Sequence, residues 1–108
     1  MADLPLPDAS SVDAAKARLG RITFRAWRRG FREADMVLGP FADAIAPVLS
    51  DAELTEFEGL LAEDNDHEIY AWIMETAPTP QAHQTPLMAR LRTFVKAHVA
   101  HAVQQGIG

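Results

Sequence analysis

An all-α fold, a single-domain small bundle of five short helices, is what this 108-residue sequence predicts. Three observations carry the prediction. Apolar residues recur three and four positions apart, the spacing of a helix that buries one face, and no segment shows the alternation of a half-buried strand. Cap and breaker residues punctuate that pattern at short intervals. A chain of this length makes one domain with a modest core, so each helix must share the same apolar interior.

Residues 1–11 hold Pro5 and Pro7 without periodicity and read as a flexible N-terminal tail. The helical domain is expected over 12–105, with 106–108 as a C-terminal tail. Helix one, from about Val12 to Arg29, carries the stripe Ala15, Leu19, Ile22, Ala26. Helix two follows with Ala34, Val37 and Leu38, Phe41, Ala44 and Ile45, and Val48; Gly39-Pro40 inside it predicts a kink or a division into two pieces. Ser50 and Glu53 have capping-box spacing at the start of helix three, whose face is Leu54, Phe57, Leu60 and Leu61 and which runs to about Glu63. Asn65 or Asp66 caps helix four, marked by Ile69, Trp72, Ile73 and Thr76. The irregular connection over 77–86 holds three prolines. Thr85 as cap and Pro86 at the first helical position then open helix five, with Leu87, Leu91, Phe94, Val95, His98 and Ala102 on its face.

Composition excludes several classes. The chain has no cysteine, hence no disulfide, thiolate metal site or cysteine nucleophile, which fits a reducing compartment. No run of 18 apolar residues exists, so no membrane span is expected. Three acids and no base precede Lys16, unlike a secretory signal or transit peptide, and a cytoplasmic bacterial protein is the simplest expectation. The net charge of −5 is unevenly spread: seven of ten basic residues lie between Lys16 and Arg32, and twelve of fifteen acids between Glu33 and Ala89. Such a distribution steers a partner, or the two regions face each other within the fold.

Catalytic candidates are weak. His98 and His101 are three apart, but no third ligand is evident, so no metal is expected. The acids Glu63, Asp64, Asp66 and Glu68 cluster at a helix junction, where capping accounts for them. No glycine-rich phosphate loop is present. Trp27, Tyr70 and Trp72 suit core or interface anchors, with core favoured for Trp72.

The segment RRGFREAD, residues 28–35, interrupts the helical pattern. Glycine within a helix costs about 1 kcal/mol relative to alanine, so Gly30 is expected to end helix one. Arg28 and Arg29 then complement the negative end of that helix, and Glu33 and Asp35 fall in the first turn of the next. The same residues have the form R-R-G-x-x-E-x-D, and downstream NDHEIYAWI places Asp66, Glu68, Ile69, Tyr70 and Trp72 in an acidic turn followed by an aliphatic-aromatic-x-tryptophan segment. With these two motifs in order, the chain resembles the SdhE family of FAD assembly factors from about Leu19 to about Ala97. Ala34, Asn65 and His67 depart from the family pattern.

The resemblance implies a binding protein, not an enzyme. It implies a chaperone-like factor that promotes covalent attachment of FAD to the succinate dehydrogenase flavoprotein and, in some bacteria, to that of fumarate reductase. FAD then belongs to the client, and the factor binds no cofactor stably and works as a monomer. The partner-binding residues it implies are Arg28, Arg29, Gly30, Phe31, Glu33, Asp35, Asp66, Tyr70 and Trp72. In this expectation Arg29 and Glu33 project together from the turn, and Gly30 permits close backbone approach. A different class is a small nucleic-acid regulator that uses Arg18, Arg21, Arg25, Arg29 and Arg32 as a basic stripe along helix one; a pI of about 5.2 opposes it, and pairing of the stripe with acids of helix three would remove it. A generic helical adaptor is the third possibility.

Overall fold

The computed structural model describes residues 9–104, with side chains from 12 to 98. Five α-helices follow in order: α1 (Ala9–Ala26), α2 (Arg32–Ala44), α3 (Asp51–Leu61), α4 (Asp66–Ile73) and α5 (Pro86–Gln104). Single 3₁₀ turns at Ala46–Val48 and Gln81–His83 lie between α2 and α3 and between α4 and α5. No strand occurs among the described residues. Among them, too, no helix is long and apolar enough to cross a membrane. Residues 9–11, expected in the tail, belong to α1; the rest of that tail, the C-terminal tail and Gln105 lie outside the described residues.

Local chemistry explains most helix boundaries. The Ser50 side chain accepts the Glu53 N–H while the Glu53 carboxylate accepts the Ser50 N–H, the full capping box at α3. Asn65 accepts the Glu68 N–H at α4. At α5 the Thr85 hydroxyl accepts from Met88 N–H, and Glu56 reaches over from α3 to accept from Leu87 N–H. That carboxylate stands at the positive end of α5, where a negative charge is favourable. Helix α4 ends with Glu75 in the left-handed region at φ 62°; Thr76 N–H returns to Ala71 C=O and Glu75 N–H to Trp72 C=O, a Schellman closure normally built on glycine.

Several boundaries differ from expectation: α2 ends at Ala44, short of the exposed Val48, and α4 ends at Ile73, short of Thr76. Helix α1 stops at Ala26, not Arg29, so three further residues enter the turn to α2. Of the two alternatives at Gly39-Pro40, division does not occur: α2 continues through Pro40 as one element. The carbonyl that loses its donor to Pro40 is that of Met36, on an exposed residue where water can replace the bond. The adjacent Gly39 has a separate role. A Cβ there would run into the indole of Trp27, whose Nε1–H donates to Asp43 Oδ2 at 3.2 Å. The missing side chain is what allows Trp27 to lie across α2.

The core is continuous across all five helices. Ile22 and Ala26 of α1, Leu38 and Phe41 of α2, Phe57 and Leu60 of α3, Ile69 and Ile73 of α4, and Leu87 and Leu91 of α5 are all buried. Phe41 lies at its centre, edge-on to Phe57 at 5.4 Å and to Phe94 at 5.5 Å between centroids. Only the second half of α1 packs fully: Ala15, the first position of its expected stripe, is exposed. His98, expected on the apolar face of α5, is exposed and stacks on Phe94; His101 lies beyond the described side chains.

Polar links tie the layers. Arg18 on α1 donates to both oxygens of Glu58 on α3, at 3.1 and 2.7 Å, and to Thr55 Oγ1 at 2.9 Å. Arg92 of α5 holds the proline-rich connection, donating to Trp72 C=O at 2.9 Å and Thr79 Oγ1 at 2.6 Å. Within that connection His83 is buried, stacked on Trp72, with Nε2 2.6 Å from Glu63 Oε2.

Replacing Gly39 with alanine should cost about 1–2 kcal/mol in urea unfolding, the overpacking penalty less the helix-propensity gain of alanine. In a Trp27→Ala background the same change should cost nothing or stabilise, because the obstructing ring is gone. Arg18 holds the Glu58 carboxyl below its ordinary value of 4.5, chiefly through its hydrogen bond. Folded protein therefore binds that proton more weakly than unfolded chain, and the bond's contribution, complete at neutral pH, should fade as pH falls below about 4.5. An Arg18→Gln variant should show a shallower acid loss of stability between neutral pH and that range.

Candidate functional site

The turn over residues 27–31 is irregular, and one side chain holds its shape. Arg29 turns inward with its side chain only 10% exposed. Its Nη1 donates to Leu61 C=O at 2.7 Å and its Nη2 to Glu63 C=O at 2.9 Å, carbonyls at and just past the C-terminus of α3. Such carbonyls have no partner within their own helix and lie at the negative end of its dipole, so a cation with several donors is the group they need. Nε and Nη2 also bind Asp66 Oδ1, at 2.9 and 2.8 Å, on the first residue of α4. That carboxylate is 17% exposed, so the pair is largely shielded from water.

The backbone of the same residue is fixed from the other side. Asp35, in the first turns of α2, accepts the Arg29 N–H at 2.7 Å. Gly30 follows at φ 81°, a left-handed conformation that costs an L-residue about 1–2 kcal/mol. No atom lies within 4 Å of a Cβ built on it, so the conformation, not space, requires glycine within the fold. Phe31 then sets the start of α2: its ring packs 4.0 Å from His67 and edge-on to Tyr70 at 5.5 Å, both on α4. The turn is clamped to the α3–α4 junction through Arg29 and to α4 through Phe31.

These positions divide the residues implied by the resemblance. Arg28, Gly30 and Glu33 are exposed; Phe31, Asp35, Asp66 and Tyr70 are partly buried; Trp72 is 7% exposed and belongs to the core. The expected outward projection of Arg29 beside Glu33 does not occur, because the α3 carbonyls and Asp66 take its donors. Trp72 is likewise no surface anchor, since His83 covers its face. Glu33 makes no hydrogen bond or ion pair among the described residues. Two exposed residues outside the implied set also meet this turn. His67 caps the Phe31 ring, and Phe24, 59% exposed, supports the Arg28 guanidinium 3.9 Å above its ring. The one signal for the latter was an aromatic four residues before an arginine.

The sequence model of a family described as flavinator of succinate dehydrogenase matches residues 20–95, from the second half of α1 into α5. The chain belongs to that family. A FAD assembly factor SdhE of Acetobacter pasteurianus is 37% identical over 79 residues, covering 73% of this chain and 72% of the relative. A mitochondrial succinate dehydrogenase assembly factor 2 of Danio rerio is 30% identical over 97 residues, covering 87% of this chain and 61% of the relative. A mitochondrial succinate dehydrogenase assembly factor 2-A of Drosophila sechellia is 30% identical over 96 residues, covering 86% and 59%. The chain thus spans about three fifths of the length of these animal relatives.

Nothing in the site or the comparisons supports a nucleic-acid regulator. The five-arginine stripe does not form: α1 ends before Arg29 and Arg32, and Arg18 and Arg29 are engaged within the fold. Among the described residues no group of three or more His, Cys, Asp or Glu could hold a metal ion.

Replacing Arg29 with alanine should cost about 2–4 kcal/mol in urea unfolding, because it strands Asp66 and uncaps α3. Arg29→Lys should recover only part of this, since one ammonium cannot reach acceptors set around a planar fork. Glu33→Ala should change stability by no more than about 0.5 kcal/mol.

Proposed function

We propose that this protein is an assembly factor for the succinate dehydrogenase flavoprotein subunit and promotes the covalent attachment of FAD to it. The observation that carries the proposal is the family match across the clamped turn, in which Arg29, Gly30 and Asp35 fix the backbone while Glu33 is left without a partner among the described residues and Arg28 is exposed over the Phe24 ring. In this reading the protein contributes no reacting group. FAD supplies the flavin ring and is held by the client, in keeping with the absence of a glycine-rich phosphate loop here.

What such a factor supplies is geometry. Bond formation between a client side chain and the flavin requires both to be held in near-attack positions, and fixing two groups in this way removes several kcal/mol of entropic barrier. A rigid turn suits that work because a partner's surface can be braced without ordering a mobile loop on binding. Glu33, an acceptor fixed on the first turn of α2, would take donors from the client, and Arg28 would engage its acids. Gly30 leaves the turn without a side chain where the client backbone would approach. The fumarate reductase flavoprotein is a second client by the same chemistry. The factor would act as a monomer in the bacterial cytoplasm, with an interface small enough to release.

Purified flavoprotein incubated with FAD, with and without this protein, tests the reading by in-gel fluorescence of covalent flavin. Wild-type protein should raise the labelling, and Glu33→Ala should lower the rate about tenfold or more while its melting curve stays unchanged. Equal labelling with and without the protein would refute the assignment.

A further inference from the structure

The face of α1 away from the core bears features the clamped turn does not use. A cleft of about 650 Å³ lies between α1 and α3, bordered by Gly20, Arg21, Phe24 and Leu61. A second, of about 430 Å³, continues toward the turn and reaches Arg28, Arg29 and Asp64. Both share Phe24, Arg25 and Leu61 as walls, so they form one groove that ends at the Arg29 turn. Phe24 stands exposed in the middle, its ring held under the Arg28 guanidinium.

The charges along this groove are unbalanced. On the α3 side, Glu58 is taken by Arg18, Asp66 by Arg29 and Glu63 by His83. On the α1 side, Arg21, Arg25 and Arg28 form no ion pair among the described residues and are exposed. Of the acids on that wall only Asp64 has no partner among the described residues, while three guanidinium groups flank an exposed ring. We infer that this groove receives an acidic segment of the partner protein that also carries an apolar side chain, seated against Phe24 with its carboxylates on Arg21, Arg25 and Arg28. A nucleic acid or an anionic membrane fits less well, because Glu58 and Asp64 on the opposite wall would repel a uniform polyanion. The inference rests on the assembly-factor reading for the partner's identity and adds a second contact surface continuous with the turn.

Binding of the purified succinate dehydrogenase flavoprotein, titrated at about 0.01 M and about 1 M salt where the screening length is about 30 and 3 Å, tests it. The double variant Arg21→Glu/Arg25→Glu should bind about tenfold or more weakly at low salt and lose most of the salt dependence shown by wild type. Phe24→Ser should weaken binding at both salt concentrations. Melting curves establish that the variants fold, and Arg21→Gln/Arg25→Gln replaces the reversal if it does not. Wild-type affinity retained by both variants at both salts overturns the groove proposal alone. Wild-type failure to bind the flavoprotein overturns the functional reading and this occupant together. Tight binding of duplex DNA or phosphatidylserine vesicles, lost in the arginine variant while flavoprotein binding persists, assigns the groove to a polyanion and overturns the proposal as well.

Discussion

A guanidinium group withdrawn from water holds together two turns far apart in the chain. Removing a cation from solvent is costly unless its donors are matched, and Arg29 is matched by the Leu61 and Glu63 carbonyls at the end of α3 and by the Asp66 carboxylate. The match runs both ways, for those carbonyls would otherwise end a helix without partners. Lysine could not make it, because the acceptors lie around a plane and call for a fixed fork of donors. The turn between α1 and α2 and the junction between α3 and α4 therefore behave as one object. Neither has enough regular structure to define its shape alone.

That coupling reassigns the roles within RRGFREAD. Arg29, Gly30 and Asp35 shape the turn: the first by its side chain, the second by a left-handed backbone, the third by accepting the Arg29 N–H. Phe31 extends the shape to α4 through His67 and Tyr70. A residue can thus be indispensable to a binding surface without touching the partner. Loss of binding on changing Arg29 or Asp35 would by itself say little about contact, whereas loss on changing Glu33, which holds nothing in the fold, would speak to contact directly.

The parts of this architecture legible in the sequence are those whose physics is local. The Ser50–Glu53 box, the Asn65 cap and the Thr85-Pro86 start each need donors and acceptors within three residues, and each is present. The parts that were not legible depend on distant partners. Arg29 finds its acceptors 32 to 37 residues away, and with twelve acids in the middle of the chain nothing local singles out Asp66. Gly39 beside Pro40 points to a kink or a division of the helix, yet its use is to admit the indole of Trp27 from the turn after α1. Arginine's helix propensity and the stop at Gly30 point to an end of α1 at Arg29; the chain leaves the helix three residues earlier, at Ala26, and Arg29 reaches the end of α3. Trp72 is read from its size as core and from its motif as a partner residue; the core reading holds, but its cover, His83, comes from a connection without periodicity.

The positions of Glu33 and Asp35 show why one short helix start can serve fold and partner together. At 3.6 residues per turn, side chains two apart point about 200° away from each other. If Asp35 faces inward to accept the Arg29 N–H, Glu33 must face outward, and both carboxylates still gain from the positive end of α2. The acid that tightens the turn and the acid left for a partner are thus set by the same helix geometry. Moving either by one residue would swing it about 100° off its direction and separate the two roles. The spacing E-x-D is in this sense a mechanical requirement: the inward carboxylate fixes the platform from which the outward one is presented.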